Sequence, residues 1–157
     1  MAKQLLDNFA ARADLTITLA SLASSITGVG RQSSIVDNTV TRYTSVDVVI
    51  QVKTTATTTA NSVISVYLIR SDGHAATPRR DDNAGPVDAA ITILNADFLG
   101  TLTTGTITTA QTLPKIFHVL DLGPKWAIAI VNSTGTALDA TAGNHYAGFI
   151  GRNRSVG

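Results

Sequence analysis

Short runs in which apolar residues alternate with threonine or other polar residues recur along this chain, and they restrict the folds that it can adopt. Consecutive side chains of a β-strand point to opposite sides, so strict alternation predicts a strand with one buried face. Residues 43–54 are the clearest case, because their apolar positions fall on one face: Val46, Val48, Ile50 and Val52. Threonine, valine and isoleucine favour strands, and glutamate, a good helix former, does not occur in the chain. The sequence therefore predicts an all-β protein.

Similar runs predict further strands at residues 15–20, 62–70, 91–94, 99–103, 106–109, 115–122, 126–131 and 145–150. Turn-rich segments separate them at a spacing typical of sandwiches and jelly rolls. We therefore expect an antiparallel, jelly-roll-like β-sandwich of roughly eight strands. Residues 43–54 and 62–70 are expected to pair as a hairpin. Residues 126–131 are apolar on both faces, which indicates a central strand or one covered by a neighbour.

The first 35 residues differ from the rest of the chain. Leu5, Leu6 and Phe9 suit either a short amphipathic helix or an extended arm, and the glycines and serines of residues 21–34 indicate a loop. We therefore expect an N-terminal arm and strand region over residues 1–35 and a β-sandwich domain over residues 36–157. The N-terminus lacks the apolar stretch and cleavage site of a secretory signal, so no export is expected.

Composition excludes several classes of protein. The formal net charge of +1 is too small for the electrostatic attraction on which nucleic-acid binding depends. No apolar stretch approaches the roughly 18 residues needed to span a bilayer, so no membrane partner is expected. The absence of cysteine removes disulfides and cysteine-bound zinc. Only 15% of the residues are charged, so much of the surface is neutral threonine and serine, which suits packing against other proteins.

No pattern in the chain predicts catalysis or metal binding. Three histidines and eleven aspartates are scattered without a known motif, so we expect no enzyme activity, cofactor or metal site. His118 lies within a predicted strand and is expected to be structural on a sheet face. His145 is expected to make local hydrogen bonds or a subunit contact. Asn132-Ser133-Thr134 matches a glycosylation sequon, but a turn is the better interpretation.

Several passages together resemble a family of virus proteins. These are Val66-Tyr67-Leu68-Ile69-Arg70-Ser71-Asp72-Gly73, Asp97-Phe98-Leu99-Gly100, Phe117-His118-Val119-Leu120-Asp121-Leu122-Gly123-Pro124-Lys125-Trp126 and Ile128-Ala129-Ile130-Val131-Asn132-Ser133-Thr134-Gly135. They resemble virion structural proteins of tailed bacteriophages, most of all head decoration or cement proteins. The resemblance implies a jelly roll, often a homotrimer, that sits on the capsid exterior after synthesis in the host cytoplasm. It also implies that the protein bridges subunits of the major capsid protein.

The contacts with such a lattice are expected in the most irregular parts of the chain. The predicted arm contributes Leu5, Leu6 and Phe9, and the long, charged excursion over residues 71–90 contributes Arg79, Arg80, Asp81 and Asp82. A phage tail, fibre or receptor-binding module that recognises carbohydrate is the main alternative. A non-viral shell or filament subunit also fits the composition, whereas a hydrolase on a sandwich scaffold fits it least.

Overall fold

A computed structural model of the chain describes residues 5–24, 28–56, 58–72, 87–91 and 96–156. Apart from one 3-10 turn, Ala142–Asn144, the regular elements of these residues are strands. The strands are β1 (Leu5–Phe9), β2 (Ala13–Asp14), β3 (Val29–Gln32), β4 (Val36–Asp37), β5 (Ser45–Lys53), β6 (Val63–Ser71), β7 (Ala89–Ala90), β8 (Asp97–Thr103), β9 (Thr112–Leu120), β10 (Lys125–Ser133) and β11 (Tyr146–Val156).

The strands form two antiparallel sheets. Sheet A has the order β1-β11-β5-β9, with β2 also pairing with β11, and sheet B has the order β7-β3-β10-β6-β8, with β4 also pairing with β10. β1 and β2 are consecutive on the chain and pair with the same strand, β11, so we count them as one strand. For the same reason β3 and β4, which both pair with β10, count as one. Without the two-residue β7, this gives eight strands. Their chain order is 1-8-3-6 in sheet A and 2-7-4-5 in sheet B. This is the double Greek key of a jelly roll, and it confirms the predicted fold class.

The core lies between the two sheets and takes the inward-facing residues of both. The alternation predicted for residues 43–54 is confirmed, because Val46, Val48, Ile50 and Val52 are all fully buried. Trp126 of β10 is also fully buried, and its ring packs edge-on against Phe149 of β11 with 5.1 Å between the ring centroids. Each large apolar side chain buried in this way contributes about 1.5–3 kcal/mol.

The expected hairpin between β5 and β6 is wrong. β5 pairs with β11 and β9 in sheet A, whereas β6 pairs with β10 and β8 in sheet B. The connection between them therefore crosses from one layer to the other, and it is anchored by two fully buried threonines, Thr54 and Thr58. Alternation identifies which side chains point to the core, but it does not identify the neighbouring strand.

The N-terminal residues are part of the sandwich. Residues 5–9 are extended, as in the second of the two predicted alternatives, and pair with β11. Residues 15–20 form no regular strand, yet Leu15, Leu19 and Leu22 are buried in the core. β3 pairs with β10 in the other sheet. The described part of the region expected to stand apart over residues 1–35 thus adds strands and core side chains to the β-sandwich predicted for residues 36–157.

Part of the outer face of sheet B is buried within the protein, although Phe98 of β8, opposite Tyr67 on the same face, is 59% exposed. Ile69, Ala127 and Ala129 lie on this outer face and are fully buried in a second apolar cluster, against which Ile91 packs. Gly30 permits this packing, since a side chain there would collide with Ile91. The prediction that residues 126–131 form a central, covered strand is therefore confirmed.

Candidate functional site

The outer face of sheet A is open to solvent and unusually apolar. We call its outward-pointing residues the open face; they include Asp7, Phe9, Asp47, Val49, Ile116, His118, Leu120, Gly148, Ile150, Arg152 and Arg154. Phe9, Ile116 and Leu120 are 62%, 64% and 57% exposed, respectively. The solvent side of an antiparallel sheet is normally polar. Large apolar side chains that share one exposed surface indicate an interaction site.

A charged cluster lies in the middle of the open face. The strand register places Asp47 of β5 between His118 of β9 and Ile150 of β11, and Arg152 of β11 is its diagonal neighbour, opposite Ser45. One Asp47 oxygen, Oδ2, accepts hydrogen bonds from Arg152 Nη2 and from Arg152 Nε, the latter at 3.1 Å. The other, Oδ1, lies 2.8 Å from His118 Nδ1. Because a carboxylate only accepts, His118 Nδ1 is the donor in this pair.

These bonds keep the Asp47 carboxylate charged. Partial burial acts to raise the pKa of Asp47, but the hydrogen bonds from Arg152 and His118, together with their positive charges, outweigh it. The net effect lowers the pKa of Asp47 below its ordinary value. Asp47 therefore holds Arg152 and His118 in fixed positions on a face that is otherwise open.

Next to this cluster the face is concave. The concavity has a volume of about 340 Å³ and is lined by Asp7, Thr44, Ser45, His118, Leu120, Arg152 and Arg154. The Arg152 guanidinium lies 4.7 Å from the centre of the Phe9 ring, a cation–π contact. Arg154 donates from Nε to Asp7 Oδ1 at 3.2 Å, and both side chains are more than half exposed. A site of this kind can bind a polar or charged group beside apolar contacts.

The structure brings one of the predicted interface residues to this surface. Phe9 lies at its edge on β1, whereas Leu5 and Leu6 are described only through their backbone pairing with Val156 and Ser155. Arg79, Arg80, Asp81 and Asp82 fall outside the described residues. Sequence reasoning missed Asp47, Arg152 and Arg154. The available signal was an aspartate at an outward position of the most clearly alternating strand.

Two other predicted residues have structural roles. His145 Nδ1 accepts from the Lys53 backbone N–H at 3.3 Å, and its Nε2 donates to the Asp139 carbonyl at 2.8 Å, so the expected local hydrogen bonding is confirmed. Asn132 is fully buried in the last part of β10, and its Oδ1 accepts from the Thr134 backbone N–H, so the turn predicted for residues 132–134 begins only after Ser133. Within the described ranges no three His, Asp, Glu or Cys side chains lie close enough to hold a metal ion. No helix in those ranges is long and apolar enough to cross a membrane.

The strand order and the open face define the chain as a jelly-roll β-sandwich with one solvent-exposed sheet. No protein-family model and no curated protein matches it. A solved structure, the carbohydrate-binding module CBM35 from Cellvibrio japonicus Abf62, aligns over 98% of both chains with 14% sequence identity and a TM-score of 0.38. Similarity at this level carries no information about ligand or function.

Proposed function

We propose that the chain is a virion structural protein of a tailed bacteriophage, a decoration protein that binds the outer capsid lattice and stabilises contacts between major capsid protein subunits. The observation that carries this proposal is the open face of sheet A. The central part of the outer face of sheet B is buried in the second apolar cluster, whereas the outer face of sheet A exposes Phe9, Ile116 and Leu120. In the proposal, the open face of sheet A rests on the lattice.

The size of the open face suits weak binding by many copies. Four strands of about nine residues span roughly 19 by 30 Å, a projected area on the order of 500 Å². A typical stable interface buries about 800 Å² on each partner, so one copy would bind weakly through this face alone. On a lattice, many weak contacts add together through multivalency. Such a protein reinforces a shell without a large interface of its own.

The open face suits a protein partner better than a sugar. Sugar-binding sites commonly present a flat aromatic ring to the ligand, but one side of the Phe9 ring is occupied by the Arg152 guanidinium. On the other sheet, Tyr67 and Phe98 are tilted 52° to each other and do not form one flat platform. Ile116 and Leu120 are aliphatic, which favours contact with other apolar side chains.

The test is binding to capsids that lack this protein, with one substitution on the open face and a matched one outside it. Ile116→Lys places a charge on the open face, and Ile107→Lys makes the same change in the β8–β9 loop at a similar exposed fraction, 58% against 64%. We expect Ile116→Lys to lower occupancy at least tenfold and Ile107→Lys to leave it unchanged. Equal occupancy of the two variants, or no binding by the unmodified protein while a glycan array gives specific hits, would overturn the proposal.

A further inference from the structure

We infer that the concavity of the open face is a binding site for a carboxylate, supplied by an aspartate or glutamate side chain of a protein partner. The inference deepens the proposed function and rests on it only in taking the partner to be a protein. It is carried by the distribution of hydrogen-bond donors and acceptors around the concavity, which is lined by two arginines and one aspartate.

The two carboxylates at this site already accept hydrogen bonds. Asp47 contacts two of the lining residues and its side chain is only 14% exposed; one of its oxygens accepts from Arg152 and the other from His118. Asp7 accepts from Arg154 through Oδ1. A ligand that donates hydrogen bonds therefore meets acceptors that already have partners.

The donors are in excess. A guanidinium carries five N–H donors in a planar fork. Arg152 directs Nε and Nη2 towards Asp47, and Arg154 directs Nε towards Asp7. Arg154 is 67% exposed at the rim. A carboxylate is the acceptor whose two oxygens match such a fork, and charge assistance strengthens the bonds.

The apolar side chains beside the arginines indicate which class of molecule supplies the carboxylate. Phe9 and Leu120 are both more than half exposed beside the arginines, and a peptide can cover them with its own apolar side chains. A sugar that stacks on an aromatic ring would find one side of the Phe9 ring already occupied by the Arg152 guanidinium. The observations therefore favour an acidic side chain on a protein over an acidic sugar.

If a carboxylate binds Arg154, substitutions of Asp7 and of Arg154 should change its affinity in opposite directions. Asp7 competes with the incoming carboxylate for Arg154, so Asp7→Asn should tighten binding while Arg154→Gln weakens it. An exposed pair of this kind alters affinity by about threefold in either direction. A merely structural pair would give two variants that change in the same direction. Lys125 and Asp37, an ion pair at 3.8 Å on sheet B, supply the matched control substitutions Lys125→Gln and Asp37→Asn.

The experiment is an NMR titration of the full chain at constant ionic strength. The probes are acetyl-Gly-Asp-Gly-amide, its asparagine counterpart and sodium glucuronate. The readouts are the His118 ring signals in every variant and the Arg154 Nε–H signal in every variant that keeps Arg154. We expect saturable shifts with the aspartate peptide only, tightened by Asp7→Asn, weakened by Arg154→Gln and unchanged in the control variants. Shifts that are equal for the aspartate and asparagine peptides, or stronger for glucuronate than for the aspartate peptide, would overturn the inference.

Failure of this inference can be told apart from failure of the proposed function. Capsid occupancy of Arg154→Gln and Lys125→Gln is measured beside the titration. If the unmodified chain binds capsids but Arg154→Gln binds equally well and the peptide gives no shifts, the carboxylate site is refuted and the decoration role stands. If the peptide binds as expected but no capsid does, the decoration role fails and the site stands.

Discussion

The side chain of Asn132 should be among the most sensitive in the protein to a conservative change. Its Nδ2 donates to the Leu22 carbonyl at 3.0 Å and to the Thr136 carbonyl at 2.9 Å, while its Oδ1 accepts from the backbone N–H and the hydroxyl of Thr134. The side chain is fully buried. It therefore joins the N-terminal residues to the turn after β10 through four hydrogen bonds. Asn132→Asp keeps the shape but replaces the NH2 group with an oxygen.

The expected loss in the free energy of unfolding depends on the two carbonyl groups that the new oxygen faces. In either protonation state the new oxygen faces the Leu22 and Thr136 carbonyls, and at least one of them loses its hydrogen bond from residue 132, although Leu22 keeps the Leu138 backbone N–H and Thr136 keeps the Thr134 hydroxyl. Loss of a buried hydrogen bond, with two oxygens left facing each other, costs about 1–3 kcal/mol. If the new carboxyl ionises, an uncompensated buried charge raises the cost to about 3–5 kcal/mol. We expect a loss of about 4 kcal/mol near neutral pH, which is a large part of a typical total stability of about 5–15 kcal/mol.

Urea unfolding followed by the fluorescence of Trp126 measures this loss, because the chain has one tryptophan and it lies in the core. With a slope of about 2 kcal/mol per molar urea, the midpoint should fall by about 2 M. Asn153→Asp is the matched control, since the Asn153 side chain donates to the Thr41 carbonyl at the surface, and the change should cost under about 1 kcal/mol. Equal midpoints for the two variants would refute the reasoning.

Two further substitutions test the open face of sheet A. Asp47→Asn removes a carboxyl group whose pKa is lowered in the folded state. The ionised carboxylate therefore stabilises the folded protein at pH values above its ordinary pKa of about 3.9, and this stabilisation is lost as the pH falls through the pKa of Asp47 in the folded state. The variant should be about 1–2 kcal/mol less stable near pH 7 in urea unfolding, and this difference should shrink as the pH falls through the folded pKa of Asp47; a difference that does not change with pH would contradict this. Gly148→Ala places a methyl group against the Tyr146 hydroxyl and within 2.7 Å of the Ala13 carbonyl, so it should cost about 1–3 kcal/mol. Gly143→Ala, which meets nothing within 4 Å, is the control, and equal melting temperatures of the two glycine variants would contradict the packing of this face.

The sequence predicts the layers of this fold better than their connections. Alternation identifies the buried residues of β5, and the doubly apolar run of β10 correctly predicts a covered central strand. The partner of each strand is set by packing across the whole core, which is why the expected hairpin of β5 and β6 does not form. The N-terminal residues join the sandwich because Leu15, Leu19 and Leu22 find places in the core that local patterning does not foresee.

The site is harder to predict because it depends on register. Asp47, His118 and Arg152 are far apart in sequence, and they meet only because β5 lies between β9 and β11. Shifting either pairing by one residue would move the side chains to opposite faces. Phe9 was predicted as a contact residue from the apolar pattern of the N-terminal residues. Asp47 and Arg152 were not predicted, because they can be recognised as neighbours only once the strand order is known.

Electron microscopy of the native particle tests most directly whether sheet A binds a capsid. A reconstruction that resolves side chains should place the chain on the outer surface of the shell, with Ile116, Leu120 and Arg152 within about 4 Å of major capsid protein. The account is contradicted if the particle lacks the chain, or if the chain sits on the shell with these three side chains facing solvent.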